Sequence, residues 1–96
     1  MKITVTDQAL AWFKKELTFP AGSGVHFYGK VYGATNVHEG FSVGMSVDQP
    51  VAPIYSETID GILFFVEETD AWFFADYDLL VDYDEKLEEP KYTFSE

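Results

Sequence analysis

The stretch Ile54-Tyr55-Ser56-Glu57-Thr58-Ile59-Asp60-Gly61-Ile62-Leu63-Phe64-Phe65-Val66-Glu67 decides how this chain is read. Two runs rich in β-branched and aromatic residues flank Asp-Gly, the dipeptide that accepts the positive φ angles of a two-residue hairpin turn. A β-hairpin over residues 54–67 is the expectation. Upstream, Val25, Phe27, Gly29 and Val31 alternate with His26, Tyr28, Lys30 and Tyr32, and Phe41, Val43, Met45 and Val47 alternate with Ser42, Gly44, Ser46 and Asp48. A period of two marks half-buried strands. The short connection Gly33 to Gly40 then makes the two runs antiparallel neighbours.

Outward from this centre, Ile3 and Val5 read as an opening strand. Thr6 or Asp7 caps a helix whose stripe of Leu10, Phe13 and Leu17 is widened by Ala9 and Trp12 and stopped before Pro20. Thr69 or Asp70 caps a second, short helix through Ala71-Trp72-Phe73-Phe74. Leu79, Val81 and Tyr83 alternate as a further strand, and Tyr92 and Phe94 suggest a last edge strand. The order describes a mainly β, β-rich α+β domain of largely antiparallel strands with two short helices. One domain over residues 1–96 is expected, with its core over about 1–84 and an acidic C-terminal segment over 85–96.

Composition narrows the chemistry. With 96 residues, the chain buries roughly 60 to 65% of its unfolded surface, enough for one core. Cysteine is absent, which removes disulfides, thiolate catalysis and cysteine-ligated metal centres. Six lysines face seventeen carboxylates for a net charge of −11, a field that repels nucleic acid and anionic membranes and admits cations or basic protein partners. The acid is concentrated: residues 67–96 hold eleven acidic residues and two lysines. No apolar run has the length of a membrane span and no basic-then-apolar leader opens the chain, so a cytoplasmic protein is expected.

Several residues are candidates for function. His38 with Glu39 offers an imidazole nitrogen beside a carboxylate oxygen, a pairing suited to ferrous iron or zinc and so to weak binding of a divalent metal. Asp76, Asp78, Asp82, Asp84 and Glu85 form the densest carboxylate group, an interaction face for a basic partner. Asp82 and Asp84 share one strand face and suggest a hard-cation site, although the calcium-loop signature fails there. His26 lies on the outward strand face with Tyr28. Among the rings, Trp72 or Phe65 is expected to stay exposed for a partner. No glycine pattern of a phosphate cradle precedes a helix, and no catalytic constellation is present, so a non-enzyme without a resident cofactor is expected.

The run Met1 through Lys15, the loop Gly33 with His38-Glu39-Gly40-Phe41-Ser42-Val43-Gly44-Met45, and the segments Ile62–Asp70 and Leu79–Tyr83 together resemble the HesB-like family, the A-type iron-sulfur cluster assembly proteins. That resemblance implies a small β-rich fold. It also implies three thiolates, one in the loop and two in a C-terminal Cys-Gly-Cys. Here His38 stands at the first position and Glu88-Glu89-Pro90-Lys91 replaces the pair. The resemblance thus implies a cysteine-free accessory or protein-interaction role in iron-sulfur biogenesis. The alternatives are an acidic interaction module unrelated to that process, or a weak metal binder using His38. Oligomeric state is left open.

Overall fold

A computed structural model describes residues 1–31, 33, 35 and 40–96. His38 and Glu39, the proposed metal pair, lie outside the described residues. In chain order the elements are β1 (Ile3–Val5), α1 (Asp7–Glu16), β2 (Gly24–Lys30), β3 (Ser42–Asp48), β4 (Pro53–Ile59) and β5 (Ile62–Glu67). A 3-10 turn (Glu68–Asp70), α2 (Ala71–Phe74), β6 (Asp78–Asp84) and β7 (Glu89–Ser95) follow. The strands form two sheets, one in the order β3-β2-β5-β4 and one in the order β1-β6-β7. This is the mainly β, α+β architecture that the periodicities predict. Both sheets are mixed, because β1 runs parallel to β6 and β2 parallel to β5.

The hairpin at the centre of the sequence forms as expected. Ile59 pairs with Ile62 across the turn, and Asp60 (φ 53°) and Gly61 (φ 83°) both take the left-handed conformation that such a turn requires. Thr6 supplies the cap of α1: its hydroxyl accepts from the Ala9 N–H at 3.3 Å, and Leu10 N–H reaches the Thr6 carbonyl at 2.8 Å. The expected cap of α2 is not made. Neither Glu67 nor Asp70 gives a side-chain bond at the helix starts, because a 3-10 turn leads into α2 and the Asp70 carboxylate faces β2 instead, 3.4 Å from the Gly29 N–H.

One face of the four-stranded sheet packs on α1. Phe13 of α1 meets Phe27 and Phe64 edge to face, with ring centroids 6.4 and 5.3 Å apart. Burying each such ring stabilises the fold by about 1.5 to 3 kcal/mol. The second aromatic group joins the sheets: Phe73 and Phe74 of α2 pack on Phe94 of β7 at 5.6 and 5.7 Å. Beneath Gly29 of β2 lies Phe73; a Cβ there would sit 2.7 Å from the ring's Cγ, so only glycine admits the ring so close. Phe65 is fully buried, contrary to one of the two expectations, because the His26 ring stacks on it at 5.2 Å with 9° between planes. Trp72 is the ring that emerges, 57% exposed.

The acidic segment is part of the fold. Glu89–Ser95 pairs antiparallel with β6 along its whole length, and Phe94 is buried. Among the described residues, no helix is long and apolar enough to cross a membrane.

Candidate functional site

Among the concavities formed by the elements above, two gather side chains of interest, and one carboxylate face lies apart from them. The larger concavity, about 470 Å³, opens between β3 and the start of β7. Trp12 reaches it from α1, Tyr28 and Lys30 from β2, and Glu89, Pro90 and Tyr92 from β7, while Ser42 to Met45 of β3 form one rim. Tyr28 is placed by Gly44: a Cβ at Gly44 would fall 2.4 Å from the tyrosine ring, so the glycine lets Tyr28 lie flat across the edge strand. Trp12 is pinned by its indole N–H, which donates to the Glu88 carbonyl at 3.1 Å. Tyr92 packs edge-on against Phe27 at 5.6 Å. Burial pushes its phenol well above the ordinary value of 10.0, and the neighbouring Glu89 carboxylate and Tyr28 phenol add to the shift. The cleft therefore offers aromatic walls and one carboxylate beside β3. Lys30 is already engaged by other groups of the protein.

The smaller concavity, about 370 Å³, lies beside His26, Asp48 and Glu67. His26 is less an open surface residue than its strand position suggests: only 18% of its side chain is exposed. Nδ1 stands 3.2 Å from Asp48 and Nε2 stands 3.6 Å from Asp70, the latter without a hydrogen bond. The Ser46 hydroxyl donates to Asp48, and that bond, followed by the one from His26, holds the Asp48 carboxyl below its ordinary value. The carboxylate thus sits between serine and histidine. In this order the imidazole cannot take the serine proton, so Ser46 is not an activated nucleophile. Glu67 accepts the backbone N–H of Val51 at 2.8 Å and of Ala52 at 2.7 Å, which fixes the turn before β4. Strand alternation places His26 on its face. Nothing local announces Asp48 and Asp70, which arrive from β3 and from the 3-10 turn.

The carboxylates read as an interaction face come together on and around β6, but most are occupied. Asp78 accepts the Lys2 N–H at 2.7 Å, and Asp82 accepts the Thr6 hydroxyl at 3.1 Å and the Tyr83 N–H at 2.8 Å. Asp84 accepts the N–H groups of Lys86 and Leu87, and Glu85 accepts from Gln8 at 3.0 Å. Asp76 stands exposed in the turn before β6. These bonds tie β1 and α1 to β6 and shape the turn into β7. Among the described residues, no three histidine, aspartate or glutamate side chains converge to hold a metal ion, and the cation site suggested for Asp82 and Asp84 is not assembled.

No protein-family model matches the chain. Over 94 residues it is 40% identical to a Bacillus subtilis (strain 168) protein named pyruvate dehydrogenase inhibitor, with 98% of this chain and 99% of the relative covered. It is 34% identical over 96 residues to an uncharacterised protein of Staphylococcus saprophyticus, covering 97% and 98% of the two chains. A further uncharacterised protein, from Staphylococcus haemolyticus, is 37% identical over 93 residues, with coverage of 91% and 94%. These findings overturn the HesB-like resemblance and the iron-sulfur biogenesis role it implied. None of these relatives carries such a name, and no family model supports one. The motifs behind the resemblance, an opening strand and helix, a glycine-containing loop and alternating strands, are patterns that unrelated small α+β domains share.

Proposed function

Because this chain belongs to the family of small proteins that includes the Bacillus subtilis pyruvate dehydrogenase inhibitor, we propose that it inhibits a pyruvate dehydrogenase by binding to it, without catalysing a reaction of its own. The observation that carries this reading is the identity of 40% sustained over 98% of the chain and 99% of the relative. The similarity therefore runs the length of both chains and is not confined to one shared motif.

The physical properties of the chain suit the role. Its surface of 5729 Å² is ample for a standard contact of about 800 Å² per partner, which would use roughly one seventh of it. The charge of −11 favours encounter with a basic patch and raises the association rate at low salt. The His26 group lacks the order of residues needed for nucleophilic catalysis, and that supports a binding mode of inhibition.

Purified protein titrated into the pyruvate dehydrogenase of the same organism, with pyruvate-dependent NADH formation as readout, tests the proposal. Inhibition that saturates at a fixed stoichiometry, weakens with added salt and reverses when the two are separated is the expected result. Full activity at large molar excess, with no co-sedimentation, refutes it. Substoichiometric inhibition that persists after the chain is removed would instead indicate a catalytic inactivator.

A further inference from the structure

Among the described residues, the large apolar side chains that stand in water are Val31, Val51, Ile54, Trp72 and Leu87. Such residues need no explanation when they are scattered singly. Trp72 is not single. Its ring meets Phe41 edge to face at 5.5 Å, and Phe41 is itself only half-buried. The pairing of β2 with β3 runs out to Lys30 and Ser42, so the next step along each segment sets Val31, 78% exposed, beside Phe41. The Gly40 N–H donates to the Gly33 carbonyl at 2.9 Å, which keeps the two segments together beyond that step. Alternation puts Val31 and Phe41 on the face that carries Gly29 and Val43, the face beneath which Phe73 lies. Val31, Phe41 and Trp72 thus form one apolar patch at that end of the sheet.

The patch is braced from below. Phe41 and Phe73 meet the Trp72 indole edge-on at 5.5 and 5.7 Å, and Phe73 is fully buried. A ring held in this way loses little conformational freedom when a partner covers it, and tryptophans so placed carry much of the energy of protein contacts. Charge gives the chemistry of the partner. Glu68, at the start of the 3-10 turn that leads into α2, and Asp76, just beyond α2, stand exposed four residues to either side of Trp72. Neither carboxylate is engaged by another group of the described residues, unlike those of Asp78, Asp82 and Asp84 on β6. We propose that Trp72, with Val31 and Phe41 beside it, is the anchor by which this protein seats on the dehydrogenase, and that it fills an apolar pocket rimmed by lysine or arginine. The proposal rests on the inhibitor reading and specifies its contact. A cation on the rim meets Glu68 or Asp76 and lies against the indole face. A second copy of the chain is a poor occupant, because it brings two bodies of charge −11 together with the same carboxylates at the contact.

Inhibition titrations of single variants test the assignment. Trp72→Ala is expected to raise the concentration for half-inhibition at least about tenfold, whereas Leu87→Ala, at a residue 66% exposed in the turn between β6 and β7, leaves it close to wild type. Hydroxyl-radical footprinting of the wild-type chain, alone and saturated with the dehydrogenase, reads the same contact without a substitution that could disturb Phe73. Oxidation of Trp72 should slow several-fold in the complex while that of Leu87 does not change. Glu68→Lys and Asp76→Lys are each expected to weaken inhibition several-fold, and Glu57→Lys on β4, which makes the same change in net charge, leaves it close to wild type. Inhibition with Trp72 oxidised equally in both states overturns the anchor and leaves the inhibitor reading standing. Unchanged inhibition by both charge reversals overturns the basic rim. Protection of Trp72 that grows with the concentration of the chain alone, accompanied by a dimer in sedimentation, overturns the partner in favour of a second copy. Absence of any binding to the dehydrogenase defeats the inhibitor reading and the anchor together.

Discussion

Replacing Gly29 by alanine probes the joint between the two aromatic groups. The added Cβ would lie 2.7, 2.9 and 3.1 Å from the Cγ, Cδ1 and Cδ2 atoms of Phe73, which is fully buried. These atoms are at the root of the ring, so the whole side chain must move, and it is packed against Phe41, Trp72, Phe74 and Phe94. Overpacking of this kind costs about 1 to 3 kcal/mol. Gly29 is not among the positive-φ glycines, so alanine also restricts the unfolded chain without backbone strain, returning about 0.4 to 1 kcal/mol. Taking the middle of both ranges, the net expectation is a loss of about 1.3 kcal/mol. For a chain of 96 residues, each kcal/mol lowers Tm by roughly 4 to 8 °C, so thermal unfolding should shift down by about 5 to 10 °C. Phe73→Ala removes the Cγ, Cδ1 and Cδ2 atoms at issue, and in that background the same glycine substitution should cost less, by about 0.5 kcal/mol or more. A Gly29→Ala protein as stable as wild type, or an equal cost in both backgrounds, would show that the close approach does not govern packing here.

Thr6→Ala removes the α1 cap and the hydroxyl bond to Asp82, and is expected to lower stability by about 1 kcal/mol in urea unfolding with an unchanged m-value. Tyr92 bears on alkaline stability. Its folded pKa lies above the unfolded one near 10, so its contribution is fully present below pH 10 and is lost as pH rises past that value. Tyr92→Phe should therefore flatten the fall in unfolding free energy on the alkaline side, and identical alkaline limbs would contradict the burial of this phenol.

The elements held by neighbours in sequence were legible, and those held by distant pairing were not. Asp60-Gly61 announces its hairpin because two left-handed residues are a local demand. The parallel pairings of β1 with β6 and β2 with β5 leave no local trace, so mixed sheets could not be told from antiparallel ones. β7 was underread because Glu89, Pro90 and Lys91 mask its alternation. What makes it a strand is the ladder to β6. The carboxylates of β6 were legible as a group, but a sequence does not tell a charge that meets solvent from one that accepts the Lys2 or Lys86 N–H. The cleft was invisible for a similar reason: Trp12 and Tyr92 are eighty residues apart and meet only when α1 and β7 flank the same opening.

The pairing of Ile3 with Leu79 also sets an order of events during synthesis. At about 5 to 20 residues per second, β1 leaves the ribosome roughly 4 to 15 s before its partner exists. Until then β1 lacks its strand partner, and the contacts of α1 with β6 and β7 cannot form. Such separated contacts place the chain among slow folders, on the scale of milliseconds to seconds. A nascent chain arrested before residue 79 would thus present an unfinished sheet, making the last fifth of the sequence the step at which quality control has the most to recognise.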